Sequence, residues 1–107
     1  MAMRVISRRR LREFWTVHPQ AQAPLSTWYR AMELTAFLDF IAIKASFPAA
    51  DYVAPFTIFD IGGNKFRLIA AIHYNTGRVF VRHVFTHADY DTWSYEMRRR
   101  KKPRRGK

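Results

Sequence analysis

Two cations and several groups that can carry a proton lie close together in the second half of this 107-residue chain: Lys65 and Arg67, then His87, Tyr90 and Asp91. Cutting RNA without a metal requires a proton acceptor for the 2′-hydroxyl, cations for the phosphorane charge and a proton donor for the leaving oxygen. A histidine suits either proton role, and an arginine can hold a phosphate through two parallel hydrogen bonds. A tyrosine can stack on a base or share in the proton transfer. These residues therefore favour RNA phosphodiester chemistry, with Arg67, His87, Tyr90 and Lys65 as the catalytic candidates.

Each of these residues also has an ordinary structural explanation. Lys65 and Arg67 can form the solvated edge of a strand, His87 can be a hydrogen-bonding residue at a helix start, and Tyr90 can be a core or rim aromatic. Of the neighbours Arg82 and His83, one faces the site, and strand alternation does not say which. The four histidines are scattered without paired spacing, so we expect neither a metal site nor a cofactor.

Three strands must position these groups. Alternating apolar runs at 56–61, 65–74 and 79–85 are joined by the turn sequences GGN (62–64) and NTG (75–77), which predicts an antiparallel meander. In the middle strand, Phe66, Leu68, Ala70 and Ile72 share the face that we expect to pack on helices, with Lys65 and Arg67 on the other. We therefore expect Lys65, Arg67, His87 and Tyr90 to converge on one concave face.

The remaining elements complete an α+β fold. We predict a strand at 3–6, a helix at 8–17 capped by Ser7, and a loop at 20–24. A second helix at 27–38 is capped by Ser26, and Asp39 caps a short third helical piece. An irregular connector covers 49–55, and a short last helix covers about 87–100. The expected architecture is an antiparallel sheet with two N-terminal helices packed on one face and an open concave surface on the other.

Charge divides the chain into a mildly basic domain at 1–97 and a strongly basic tail at 98–107. The net charge is +11, and the tail holds eight of the 19 cations and no acid. We expect the tail to be flexible or to extend the last helix, and to bind polyanions without reading their sequence. The expected RNA-binding residues are Asn64, Arg82, Asp91, Arg98, Arg99, Arg100, Lys101 and Lys102.

Composition excludes some classes of protein. The chain has no cysteine, so it has no disulfide and no thiolate metal site. No apolar run approaches the roughly 20 residues that span a membrane, and the N-terminal arginines are not followed by the apolar core of a secretory signal. The expected location is the cytoplasm.

Two sequence motifs resemble the HigB family of toxin–antitoxin systems, which are small RelE-like proteins. They are FDIGGNKFRLI at 59–69 and THADYD at 86–91, and the resemblance extends over roughly residues 3–93. It implies a ribosome-dependent mRNA endonuclease that an antitoxin with a helix-turn-helix domain holds inactive in a hetero-oligomer. It also implies functional roles for Lys65, Arg67, His87 and Tyr90, with Asn64 and Asp91 in support. The tail is not part of the family pattern.

Two other functions fit the residues. One is a non-catalytic basic RNA-binding module in which Lys65, Arg67 and the tail contact phosphates. The other is a partner-binding protein whose basic surface meets an acidic antitoxin. Neither alternative requires His87 to exchange a proton.

Overall fold

The computed structural model describes residues 3–101, with the side chain of Lys101 excepted. The elements follow one another as β1 (Arg4–Ile6), α1 (Arg8–Val17), a 3-10 turn (Pro19–Ala21), α2 (Gln22–Leu34), α3 (Phe40–Ser46), β2 (Asp51–Val53), β3 (Phe56–Ile61), β4 (Phe66–His73), β5 (Arg78–Thr86) and α4 (His87–Lys101). This confirms the predicted α+β class.

All five strands form one sheet in the order β1-β5-β4-β3-β2. Strands β3 to β5 form the antiparallel meander that the turn sequences predict, and β2 pairs antiparallel with β3. The predicted antiparallel sheet has one parallel pairing at its edge, where β1 pairs with residues 78–80 of β5. The expected irregular connector at 49–55 is also wrong in part: Asp51, Tyr52 and Val53 form the edge strand β2, which Pro55 follows closely.

The main core lies between the sheet and the first three helices. Phe66, Leu68 and Ala70 of β4 are buried there, as strand alternation predicts, and Ile72 packs against the same cluster. The helices contribute a buried stripe of large side chains: Leu11 of α1, Leu25, Trp28 and Met32 of α2, and Ile43 of α3. Each such side chain contributes roughly 1.5–3 kcal/mol when fully buried, which fixes β4 firmly to the helices.

A second, smaller apolar cluster covers part of the opposite face. Val53, Ile58 and Ile69 are buried in it, and aromatic rings from β3, β5 and α4 pack over them, namely Phe56, Phe85, Tyr90 and Trp93. The expectation that this face is an open concave surface is therefore wrong for its centre. The last helix folds back onto the sheet and leaves the polar start of β4 beside its first turns.

The predicted helix boundaries need two corrections. Helix α2 begins at Gln22, so the expected loop at 20–24 and the expected cap at Ser26 are both wrong. Pro24 is the third residue of α2, where a missing N–H breaks no helical hydrogen bond. Ser7 precedes α1 but its side chain makes no capping bond, since its φ of 77° places it in the left-handed region.

Helix α2 also ends at Leu34 rather than 38, and Phe37 from the following segment is buried in the core. Asp39 is confirmed as the cap of α3, because its Oδ1 accepts a hydrogen bond of 3.0 Å from the Ala42 N–H. A cap of this kind stabilises a helix by about 1 kcal/mol.

The turn between β3 and β4 is built on positive φ angles at Gly62, Gly63 and Asn64. At Gly62 a side chain would be strained and would also approach Pro24, whose Cγ lies 3.4 Å from the position of an added Cβ. Asn64 adopts the left-handed conformation that its type tolerates. The turn thereby presents its polar groups beside the start of β4.

Helix α4 continues through the expected domain boundary at residue 97 to Lys101, the last residue that the structure describes. Arg98, Arg99, Arg100 and Lys101 are thus helical, whereas Lys102 and the rest of the predicted tail lie outside the described residues. No helix among residues 3–101 combines the length and the apolar character needed to cross a membrane.

Candidate active site

Arg67 is the best-positioned candidate. It faces Asp60 across the β3–β4 ladder, and its Nη1 donates to Asp60 Oδ1 at 3.2 Å. Its Nη2 donates to Asn64 Oδ1 at 2.6 Å. Only 14% of the Arg67 side chain is exposed, so the guanidinium is held in one place. Asp60 also accepts the Asn64 backbone N–H at 2.7 Å, and thus braces the turn.

Tyr90 lies against the same guanidinium. The Cζ atom of Arg67 is 5.5 Å from the centroid of the Tyr90 ring, a distance at which a cation and an aromatic face attract each other. Tyr90 in turn packs beside Trp93, one turn further along α4, with ring centroids 6.0 Å apart. The strand and the helix therefore place Arg67 and Tyr90 in direct contact.

His87 is placed at the rim by an uninterrupted passage from β5 into α4. Thr86 ends the strand, and its hydroxyl oxygen accepts the Asp89 N–H at 3.2 Å, so it caps the helix. The His87 backbone N–H donates to the carbonyl of Lys65 at 3.2 Å, which ties the helix start to the turn before β4. This bond brings His87 and Lys65 together.

The His87 imidazole is 53% exposed, and its Nδ1 lies 3.8 Å from Asp91 Oδ2. At that distance the two side chains form an ion pair when the ring is protonated. Lys65 is exposed and belongs to the turn rather than to β4, so the expectation that it shares strand parity with Arg67 is wrong.

Strand β5 contains an irregularity that sequence alternation did not resolve. Ile69 pairs with His83 and Ala70 pairs with Val81, so Arg82 is an extra, exposed residue in the ladder. After this bulge His83 and Phe85 lie on the Arg67 side of the sheet, with their rings stacked at 5.0 Å and 12°. His83 is thus the neighbour that faces the site, and burial first, then the charges of Arg10 and Arg82, lower its pKa.

Sequence reasoning missed the aromatic part of this face. Trp93 lies within 6.0 Å of the rings of both His83 and Phe85, and 5.8 Å from Phe56. Its position three residues after Tyr90 places both on one side of a helix, and this spacing could have revealed it.

Within the described chain, the residues predicted to bind RNA lie in two regions, the sheet and helix start near the candidate site and the last turns of α4. Arg98 is engaged within the fold, with Nε 3.0 Å from Ser94 Oγ and a guanidinium nitrogen 3.7 Å from Asp51 Oδ2. Arg99 lies over the Tyr95 ring, at 5.8 Å from its centroid, and Arg100 is exposed on the same helix. Asn64, instead of being free for RNA, offers its side-chain oxygen to Arg67.

The arrangement thus places the Arg67 guanidinium against the Tyr90 ring, and it ties the backbone of His87 to that of Lys65 at the junction of β4, β5 and α4. These groups can hold a phosphate, stack a base and exchange a proton. Within residues 3–101 no three side chains of His, Asp or Glu come together in a way that could hold a metal ion.

Comparison with known proteins identifies the family. A family model described as "HigB_toxin, RelE-like toxic component of a toxin-antitoxin system" matches residues 21–93, more than half of the chain. The chain belongs to the HigB toxin family. The matched segment runs from the start of α2 to Trp93 and so includes Asp60, Arg67, His87 and Tyr90. Membership implies an antitoxin as the partner of this HigB-family chain.

Curated relatives agree with that assignment. The chain is similar to the mRNA interferase HigB of Escherichia coli O6:H1 (strain CFT073), with 33% identity over 83% of this chain and 89% of the relative. It is also similar to the mRNA interferase toxin HigB of Escherichia coli (strain K12), with 27% identity over 83% of this chain and 88% of the relative. The mRNA interferase HigB of Shigella flexneri matches to the same extent.

Proposed function

We propose that this chain is the toxin of a toxin–antitoxin system and an endoribonuclease that cuts mRNA on the ribosome, which inhibits translation. The observation that carries the proposal is the contact of Arg67 with Tyr90 beside His87, inside the segment that matches the HigB family. The similarity to proteins named mRNA interferases supports the substrate class.

The proposed reaction is an attack of the 2′-hydroxyl on the adjacent phosphorus without a metal ion. The 2′-oxygen forms a bond to phosphorus, the bond to the 5′-oxygen breaks, and the products carry a 2′,3′-cyclic phosphate and a 5′-hydroxyl. Arg67 and Lys65 stabilise the charge that develops on the phosphorane oxygens. His87 is the proton-transfer group: it accepts the proton of the 2′-hydroxyl or supplies the proton that the leaving 5′-oxygen gains. Its ring is exposed at the rim, with Nδ1 3.8 Å from Asp91 Oδ2.

Tyr90 completes the site in one of two ways. Its ring can stack on the base next to the cut, or its hydroxyl can share in the proton transfer. Its contact with Arg67 couples the two groups, so that moving either side chain displaces the other. A Tyr90→Phe variant separates the roles, because the ring remains and the hydroxyl is removed.

The proposed partners follow from the family. An antitoxin with a helix-turn-helix domain binds the toxin in a hetero-oligomer and blocks its activity in the cytoplasm. Arg82, Arg99 and Arg100 are exposed and contact phosphates of mRNA or ribosomal RNA. Lys101 and Lys102 are proposed to contribute further phosphate contacts.

The second candidate function is a non-catalytic RNA-binding module, and the ion pair of Arg67 with Asp60 is compatible with it. A side chain that is already paired can still donate to a phosphate, because a guanidinium has five N–H donors. In this case His87 has no chemical role.

Expression without the antitoxin distinguishes the two functions. We expect the wild-type chain to arrest growth and cleave mRNA on ribosomes, and Arg67→Ala to reduce the cleavage rate by roughly 10²–10³. His87→Gln should slow cleavage and leave RNA binding largely intact. Arg78→Ala is the matched control, because Arg78 is exposed at the opposite end of β5. Cleavage by His87→Gln at the wild-type rate would remove His87 from the mechanism.

A further inference from the structure

A cleft lies between α1 and the free edge of β5, and we call it the α1–β5 cleft. Its volume is about 340 Å³, and it is lined by Arg10, Glu13 and His18 on the helix side and by His83 and Phe85 on the strand side. It exists because β1 pairs only with residues 78–80 of β5, so within the described residues no strand covers the rest of that edge. A volume of this size accommodates one nucleobase.

A continuous series of ring contacts joins this cleft to the candidate active site. From Arg67 the contacts run to Tyr90 at 5.5 Å, from Tyr90 to Trp93 at 6.0 Å, and from Trp93 to His83 at 6.0 Å. Phe85 also pairs directly with Arg67 across the β4–β5 ladder. The cleft is therefore one strand away from the guanidinium that holds the reacting phosphate.

The walls of the cleft match the parts of a nucleotide. The stacked rings of His83 and Phe85 offer an aromatic surface for a base. The Arg10 guanidinium offers a cation for a phosphate. Within the described part of the chain no ion pair joins Arg10 to Glu13, although both line the cleft, so the Glu13 carboxylate can accept hydrogen bonds from a base.

His83 supports this assignment through its charge state. Burial in the cleft wall, together with the positive charges of Arg10 and Arg82, lowers the pKa of His83. The neutral ring that results is a flat surface with one donor and one acceptor, which suits a base.

We propose that the α1–β5 cleft is a subsite for the RNA base adjoining the cut bond, with Arg10 on a neighbouring phosphate and Glu13 selecting guanine. Guanine is the RNA base that fits, because its N1–H and N2–H groups are adjacent donors that one carboxylate can accept together. The proposal rests on the proposed function, because it names the specificity subsite of the same ribonuclease. Glu13 and Arg10 touch the substrate away from the reacting atoms.

The first experiment maps cleavage positions. Ribosomes programmed with randomised codons are treated with the wild type, Glu13→Gln, Arg10→Ala and the control Arg12→Ala, and cut sites are read by primer extension. Arg12 is exposed on α1 and does not line the cleft. We expect a guanine preference at one position next to the cut, and a roughly tenfold weaker preference in Glu13→Gln.

Arg10→Ala should raise KM by about tenfold at nearly constant kcat, since the variant removes a hydrogen bond to a phosphate away from the reacting atoms. Arg12→Ala removes the same charge from the same helix and should behave as the wild type. An unchanged cleavage map in Glu13→Gln, or equal effects of Arg10→Ala and Arg12→Ala, would overturn the subsite.

The second experiment separates the subsite from the ribonuclease activity. Amide chemical shifts of the full chain are followed while guanosine monophosphate is added, with uridine monophosphate as the comparison. We expect the guanine nucleotide to cause saturable chemical-shift changes at Glu13, His83 and Phe85. In Glu13→Gln the affinity for this nucleotide should be lower. If these chemical-shift changes occur but the chain cleaves no RNA, the subsite is supported and the proposed function is rejected. Cleavage by the wild type without such shifts, or with equal shifts for both nucleotides, would reject the subsite alone.

Discussion

At the scale of single residues, the site is organised around Arg67. The side chain makes hydrogen bonds to Asp60, to Asn64 and to the carbonyl of Phe66 before any substrate is present. A long flexible side chain normally loses rotamer entropy when it binds a phosphate, but here most of that loss accompanies folding. In the proposed mechanism, Arg67 is therefore preorganised for a charge that appears only in the transition state.

In the proposed mechanism Asp60 positions Arg67, and its removal should affect turnover more than binding. Asp60→Asn keeps the size of the side chain but removes the carboxylate that holds Arg67 and the turn. We expect kcat to fall by about tenfold while KM stays constant or decreases, because a negative charge near the phosphate is also removed. Steady-state cleavage kinetics measure this split.

Asp51→Asn is the matched control for that variant. Asp51 pairs with Arg98 at 3.7 Å, with 61% of its side chain exposed, and an exposed pair contributes little to stability. If both variants cleave as the wild type does, Arg67 does not depend on Asp60. Circular dichroism of both proteins checks that any decrease in activity is not due to unfolding.

At the scale of elements, the packing of α1 beside β5 makes stability depend on pH. His83 is the titrating group, and the charged groups that face it are Arg10 from α1 and Arg82 from its own strand. Its folded pKa is lowered below the unfolded value near 6.5, so the unfolded state binds more protons in that range. Stability should therefore be fully present above about pH 6.5 and decrease as the pH falls toward the folded pKa.

Urea unfolding at pH 7.5 and pH 5.0 measures this effect. We expect the wild type to lose more stability between the two pH values than His83→Gln does. Arg10→Gln should show an intermediate decrease, because one of the charges that disfavour the protonated ring is gone. An equal decrease in wild type and His83→Gln would show that His83 does not cause the pH dependence.

The sequence predicted the elements well where one periodicity continued without interruption. Strand alternation in residues 66–72 gave the buried face of β4 correctly, and Asp39 was recognised as a cap because its type and position suffice. The prediction of a loop at Pro24 was wrong, because a proline can end a helix and can also occupy its first turn. The prediction of an irregular connector was also wrong at β2, a three-residue edge strand whose apolar pattern is too short to detect.

Long-range packing accounts for what the sequence did not show of the site. The bulge at Arg82 shifts the parity of β5, and only the pairing with β4 shows it. The contact of Tyr90 with Arg67 requires α4 to fold back over the sheet, which no local pattern specifies. The residue types of the candidate site and the shared helix side of Tyr90 and Trp93 were readable from the sequence. The contacts of Trp93 with rings of β3 and β5 were not.

At the scale of the whole molecule, charge is concentrated at the C-terminal end. Arg98, Arg99 and Arg100 belong to α4, so a truncation that separates binding from chemistry should begin after Lys101. Residues 102–107 carry four of the chain's cations and no acid. We expect their deletion to weaken RNA or ribosome association at low salt and to reduce the salt slope by up to about 0.7 for each phosphate that these cations neutralise.

The positions of cleavage should not change in that truncated chain, because the proposed chemistry lies between Lys65 and Asp91. Cleavage maps and salt titrations of the full and truncated chains test both statements. If the truncated chain is folded but cuts at different positions, or does not cut at any salt concentration, residues 102–107 belong to the active site.

The most direct test of the proposed chemistry removes a single atom of the substrate, the 2′-oxygen at the cleaved position. A ribosome-bound mRNA is prepared with a 2′-deoxynucleotide at the cleaved position and is compared with the same message made of RNA throughout. We predict that the wild-type chain cuts only the all-RNA message and leaves a 2′,3′-cyclic phosphate, which mass spectrometry of the 5′ fragment detects. Efficient cutting of the deoxy-substituted message, or a 5′ fragment that ends in a free 3′-hydroxyl, would contradict 2′-hydroxyl attack and the roles proposed for Arg67 and His87.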